Sequence, residues 1–197
     1  GQHIWRTKPE ATEWLQIEMR AGSVLEGKEK NQHPRAETLT TLWLHHLVAC
    51  ASGTPTTSIQ IGLNGVVQFD ALTEDEGTQY LHDLMALYAE AWQQPLPLSR
   101  KSACKYISAS SFANSTKAES PDQLHITAIS EARKVFEDSH QRPGEFSEST
   151  SLQRVFSSFA DIETDLPMWA QRFYGAMVQR ARLVAMDTTV VVEESAL

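Results

Sequence analysis

The stretch TLTTLWLHHLVACASGTPTTSIQIGLNGVVQFDALTEDEGTQYLHDLMALYAEAWQQ, residues 38–94, decides the fold. Its first part sets Leu39, Leu42, Trp43, Leu47 and Val48 at helical spacing, which makes one face of a helix apolar. Ala51-Ser52-Gly53 closes that helix with a glycine where a left-handed cap is easy. Residues 58–69 then read as two short strands around Asn64-Gly65. Both of those residues tolerate positive φ, so the pair predicts a two-residue hairpin. Thr73 and Glu76 have the spacing of a capping box, each satisfying a free N–H of the other. The helix they open carries Tyr80, Leu81, Leu84, Met85, Tyr88 and Trp92 as its expected buried stripe, and Pro95 and Pro97 stop it.

Upstream of this block, residues 2–12 are polar and read as a lead-in. Residues 13–30 suggest a second, weaker hairpin, with Trp14, Gln16 and Glu18 alternating against Leu15, Ile17 and Met19 before a turn at Ala21-Gly22. Downstream, helices are expected over residues 99–110, 123–138, 152–159 and 166–184, with Ser99 and Asp165 as N-caps. Residues 110–122 read as a linker, and Val190 to Val192 as either an edge strand or part of a disordered tail.

Bulk properties bound the function. The 197 residues are 41% apolar and suit one domain with an appended helical part. No apolar run approaches the roughly 18 residues of a membrane span. The net charge of −8, from 17 basic and 25 acidic side chains, argues against strong autonomous binding to a phosphate backbone. Two cysteines, Cys50 and Cys104, cannot supply a four-cysteine iron–sulfur cluster, and they predict free thiols in a reducing cytoplasm. Glycine at residue 1 suggests a fragment of a longer chain.

The sharpest chemical candidate is SVLEGKEK, residues 23–30. On a strand, Glu26 and Lys28 project to one side. Glu18 lies eight residues before Glu26, on the strand expected to precede it. Two carboxylates for a hard cation and a lysine for the attacked phosphate are what a magnesium-dependent nuclease needs. The competing reading is a solvated, charged strand end. His45 and His46 project about 100° apart on a helix, which suits two surface side chains better than one metal. His3, His33, His82, His125 and His140 lack metal-ligand spacing. Phosphate-loop and nucleophile-elbow patterns are absent from the sequence. Arg172, Arg180 and Arg182, like Arg100, Lys101 and Lys105, read most simply as solvated helix faces.

LWLHHLVACASG, residues 42–53, resembles the C-terminal region of the RecC family, the gamma subunit of exodeoxyribonuclease V, the RecBCD helicase–nuclease. The order that follows is also similar. It runs through a hairpin, the helix with Tyr80-Leu81 and Leu84, the Pro-Leu-Pro of residues 95–97, Glu131 to Phe136, and Arg172-Phe173-Tyr174. The likeness covers about residues 13–185. It implies a C-terminal domain fragment with a restriction-endonuclease-like (PD-(D/E)XK-like) α/β core over 13–110, a mixed sheet flanked by helices, and a helical part over 123–185. It also implies a catalytically degenerate domain whose partners are RecB-like and RecD-like subunits in the cytoplasm. DNA would be met only within that complex, with no membrane. Magnesium and ATP would be used by the partner subunits, with no cofactor in this fragment. Residues 23–30 fall where active relatives carry an acid-x-lysine strand, and Glu18 or Gln16 where they carry an acid on the strand before it. Glu18, Glu26 and Lys28 are therefore expected to be a vestigial site. Two alternatives stand beside this reading: an active magnesium-dependent nuclease using the same three residues, and a helical interaction module with no sheet between residues 13 and 70.

Overall fold

The computed structural model describes residues 3–6, 14–27, 31–112 and 120–184, the first of these as backbone. In chain order the early elements are β1 (His3–Arg6), β2 (Trp14–Met19), β3 (Leu25–Glu26), β4 (His33–Pro34), α1 (Ala36–Ala51), β5 (Thr56–Gly62), β6 (Gly65–Phe69) and α2 (Glu74–Gln93). They are followed by α3 (Arg100–Ser111), α4 (Pro121–Phe136), α5 (Glu145–Glu148), α6 (Thr150–Val155), α7 (Ala160–Glu163), α8 (Leu166–Arg180) and β7 (Arg182–Leu183). The architecture is mixed α/β. Five strands form one sheet in the order β1-β2-β5-β6-β7, while β3 and β4 form a separate pair. Only β2 and β5 run parallel in the main sheet. Parallel neighbours need a crossover, and α1 supplies it.

The core follows from the α1 stripe. Leu39, Leu42, Trp43 and Leu47 are buried against Val67 and Phe69 of β6. The Trp43 and Phe69 rings sit 5.0 Å apart. The same cluster continues without a break into the helical part through Ile107, Ala132, Phe136, Phe159 and Leu166. The Thr73–Glu76 capping box forms as expected. Gly77 lets α2 close on α1, since a Cβ there would stand 2.8 Å from the Ala51 amide nitrogen.

Several expectations are corrected. The hairpin joins β5 and β6, but Gly62 pairs with Gly65, so its two loop residues are Leu63 and Asn64. Neither has positive φ. Asn64 instead works through its side chain, whose Oδ1 accepts from the Val24 and Leu25 amides and whose Nδ2 donates to the Leu25 carbonyl. Gly65 is needed because a Cβ would collide with Leu25. Residues 13–30 do not make a hairpin either. β2 pairs with β1 and β5, and β3 pairs with β4. Gly22 passes over the β5–β6 tip, where its carbonyl accepts from the Leu63 amide, and Asn64 holds the chain there.

The polar lead-in contains a paired strand, β1. The last helix ends at Arg180, four residues short of the expected end, because the chain turns to lay β7 on β6. The α2 stripe is not wholly buried: Met85, Tyr88 and Trp92 are exposed, and Leu87 is the buried position. Ser99 makes no side-chain cap of α3. Glu145 takes that role, accepting from the Lys101 and Ser102 amides and from the Ser102 hydroxyl. The Val190–Val192 expectation lies outside the described residues.

Candidate functional site

The structure separates the residues the sequence grouped. Glu18 sits in the main sheet opposite Gln60 of β5, and Gln60 Nε2 donates to its Oε1 at 3.1 Å. Glu26 sits in the two-stranded pair opposite His33. Lys105 Nζ lies 3.1 Å from Glu26 Oε2, and His33 Nδ1 lies 3.8 Å from Oε1. Lys28 lies outside the described residues. The expected neighbouring-strand geometry fails because Asn64 diverts residues 24–25 away from the edge of β2. Among the described residues, no group of three or more His, Cys, Asp or Glu side chains could hold a metal ion.

Glu26 opens onto a cleft of about 330 Å³ that Arg35, Lys101, Lys105 and Arg142 also line. Three of these cations already have carboxylate partners: Arg35 with Glu37, Lys101 with Glu148 and Lys105 with Glu26. Cys104 lines the same cleft. Burial first, and then the nearby Glu37 carboxylate, push its thiol up to about 12. It is a packing residue rather than a nucleophile.

The chemistry-bearing groups that do assemble lie between α1 and the sheet. Alternation in β2 and β5 points Gln16, Glu18, Ser58 and Gln60 toward α1. This inverts the usual half-buried strand, since Thr56, Ser58 and Gln60 are fully buried while Ile59 and Ile61 on the other face are only partly so. The polar groups satisfy one another. Thr38 Oγ1 lies 2.8 Å from the Arg35 carbonyl and 3.2 Å from Gln60 Oε1. Gln60 Nε2 also donates to the Thr38 carbonyl at 3.0 Å. Ser58 Oγ donates to Gln16 Oε1 at 3.2 Å.

His46 completes the seam and corrects the surface-facing expectation: it is fully buried while His45 is exposed. Its Nδ1 lies 3.0 Å from Ser58 Oγ. The serine proton goes to Gln16, so the histidine must donate, which assigns the proton to Nδ1. That leaves Nε2 as a bare lone pair with no partner, a cheaper omission than an unpartnered N–H. The ring stacks on Trp43 at 5.5 Å and leans on Phe69. Burial, with Arg180 adding to it and Asp70 opposing, lowers the His46 pKa to about 4. The imidazole is neutral at ordinary pH.

The arginines read as a solvated face are exposed as expected, and each also pairs with an acid elsewhere in the chain. Arg172 binds Glu90 at 3.0 Å and lies over the Trp169 ring. Arg180 binds Glu76 at 2.9 Å. Arg182, in β7 rather than the helix, binds Asp70 at 2.8 Å. All three tie the C-terminal part to α2 and to the residue that follows β6. They and the buried seam escaped the sequence reading because each depends on a partner far along the chain. The one local signal was the polar alternation of Thr56, Ser58 and Gln60.

Fold and site together define a mixed α/β domain whose strands β2 and β5 meet the crossover helix through amides and hydroxyls beside an apolar contact with β6, with no assembled cation centre among the described residues. The chain belongs to the RecC C-terminal domain family, whose model matches residues 4–111, just over half of the sequence. The matched span runs from β1 to the last residue of α3. No curated protein matches the chain. None of the described helices is long and apolar enough to cross a membrane.

Proposed function

We propose that this chain is the non-catalytic C-terminal domain of a RecC-like subunit of a RecBCD-type helicase–nuclease, supporting subunit assembly and DNA handling in double-strand-break repair by homologous recombination. The observation that carries the reading is the family match over residues 4–111. Dispersal of the expected site supports its non-catalytic half, because Glu18 and Glu26 belong to different sheets and each has its own partner. The proposed core, residues 13–110, has a nuclease-like plan in this reading, with residues 123–185 as an appended helical part.

Topology adds a further reason. The main-sheet strand that precedes α1 is β2, not residues 23–30. If β2 is the counterpart of the acid-x-lysine strand, Gln16 stands where an acid belongs and Glu18 where the lysine belongs. A neutral amide and a misplaced negative charge would neither hold a cation nor stabilise an attacked phosphate. Magnesium and ATP are then the business of the RecB-like and RecD-like partners, and the setting is cytoplasmic.

Reconstitution tests this. The chain, within its full-length subunit, is expected to co-purify with RecB-like and RecD-like subunits and to cleave no linear duplex DNA by itself with magnesium. Failure to assemble, or magnesium-dependent cleavage by the isolated chain, would overturn the reading.

A further inference from the structure

One face of α3 carries Lys101, Lys105 and Ser108 at spacings of four and three residues, so the three side chains stand in one row. All three line the cleft onto which Glu26 opens. Other walls come from Arg35 and Glu37 at the start of α1. Arg142 joins them from a turn after α4, where its backbone and that of Ser139 bond each other in both directions.

The lining holds four basic and two acidic side chains, an excess of positive charge in a chain whose net charge is −8. The acids leave donors to spare. Lys105 gives one bond to Glu26, Arg35 one to Glu37, and Lys101 one to Glu148, which lies outside the lining. Ammonium and guanidinium groups each carry further N–H donors. Among the described residues no carboxylate pairs with Arg142. Ser108 is a second, independent sign. It is 2% exposed, and its hydroxyl has no hydrogen-bond partner. A buried hydroxyl left unpaired is costly, and an oxygen seated on the floor of the cleft would supply the missing partner.

Donors converging from α1, α3 and the turn after α4 call for an anion with several oxygens and more than one charge. A phosphate monoester carries about −1.5 to −2 at neutral pH and offers three acceptor oxygens. A carboxylate offers less of both. The cleft volume of about 330 Å³ is that of a small-molecule pocket and leaves room for an organic body beyond the phosphoryl group. We propose that this cleft binds the phosphoryl group of a phosphate monoester through Arg35, Lys101, Lys105 and Arg142, with Ser108 at its floor. Glu26 and Glu37 hold their cations in place beside it. The inference goes beyond the proposed function and does not rest on it. The same chemistry would serve a free phosphorylated metabolite or the terminal phosphate of a nucleic-acid strand.

The test titrates the chain with glycerol phosphate, with glycerol and acetate as comparisons, and follows the amide shifts of residues 35–37 and 101–108 by NMR. Glycerol phosphate is expected to bind with a Kd of about 1 mM or below, and acetate and glycerol at least about tenfold more weakly. Arg142→Gln should weaken glycerol phosphate by about tenfold while melting like the wild type, since its side chain has no partner to lose. Arg154→Gln removes the same charge from an exposed position outside the lining and should leave binding unchanged. Ser108→Ala should weaken binding by about threefold without lowering the melting temperature. Absence of binding, acetate binding as tightly as glycerol phosphate, or equal losses in the two arginine variants would overturn the assignment. Two oligonucleotides of one sequence, with and without a terminal phosphate, distinguish the sources. Tighter binding of the phosphorylated strand than of glycerol phosphate assigns the site to a strand end, and the reverse assigns it to a free ester. Equal binding of both oligonucleotides, with none of glycerol phosphate, would mean contact with backbone diesters and would overturn the proposal.

Discussion

Acidification should destabilise this protein through one buried ring, His46. The folded state holds the imidazole neutral, with a pKa of about 4 against 6.5 in the open chain. Below pH 6.5 the unfolded chain takes up a proton that the folded chain refuses, so stability falls with pH across that window. The loss amounts to about 2 kcal/mol between pH 7.5 and 5, and levels off near 3 kcal/mol below pH 4. Other groups act lower: bonds from the Thr73 amide and Arg180 lower the Glu76 pKa, so its contribution fades only in the carboxylate range. The control is His46→Phe, which keeps an aromatic ring between Trp43 and Phe69 but cannot titrate. Its baseline should be lower by about 1–2 kcal/mol because Ser58 loses a partner. Urea unfolding of both proteins at several pH values between 7.5 and 4.5 isolates the effect. The stability gap should shrink as pH falls. A gap that stays constant, or that widens on acidification, would refute the assignment of a neutral, buried imidazole.

Further outcomes follow from the same contacts. Glu145→Ala removes three hydrogen bonds at the start of α3 and should cost about 2 kcal/mol in urea unfolding, with Glu145→Gln recovering part of it. Asn64→Ala should cost about 2 kcal/mol and release residues 24–25, seen as faster amide exchange at Val24 and Leu25 with little change in α2. Cys104 should resist iodoacetamide in the native protein at pH 8 and react once urea unfolds it, because its thiol titrates near 12 when buried. Native-state alkylation at the rate of a free thiol would contradict that burial.

What the sequence made legible was what short-range rules govern. The Trp43 helix, the capping box at Thr73 and the hairpin between residues 58 and 69 each follow from periodicity or turn chemistry within a few positions. The elements it hid depend on distant partners. β1 is a tetrapeptide too short to announce itself, and its strand character comes from pairing with β2. β7 is two residues long and exists because α8 delivers it to β6. The Asn64-Gly65 pair predicted a turn correctly for an incomplete reason: the side chain clamps Leu25, and the glycine clears space for it. The site suffered most. Glu18 and Glu26 looked like strand neighbours because their separation fits a hairpin, and nothing local reveals that the chain detours over the β5–β6 tip. His46 looked like a surface residue because it neighbours His45. Only the polar inward face of β5 gives it a reason to be buried.

In the function proposed for it, this α/β domain serves the assembly without a cation centre of its own. Its most direct test is magnesium-dependent cleavage of linear duplex DNA by the reconstituted complex carrying Glu18→Gln and Glu26→Gln together in this chain. Cleavage should stay within about twofold of wild type, since any loss attributable to a catalytic carboxylate would be orders of magnitude larger. A loss of a hundredfold or so, in a complex that still assembles and still hydrolyses ATP, would contradict it.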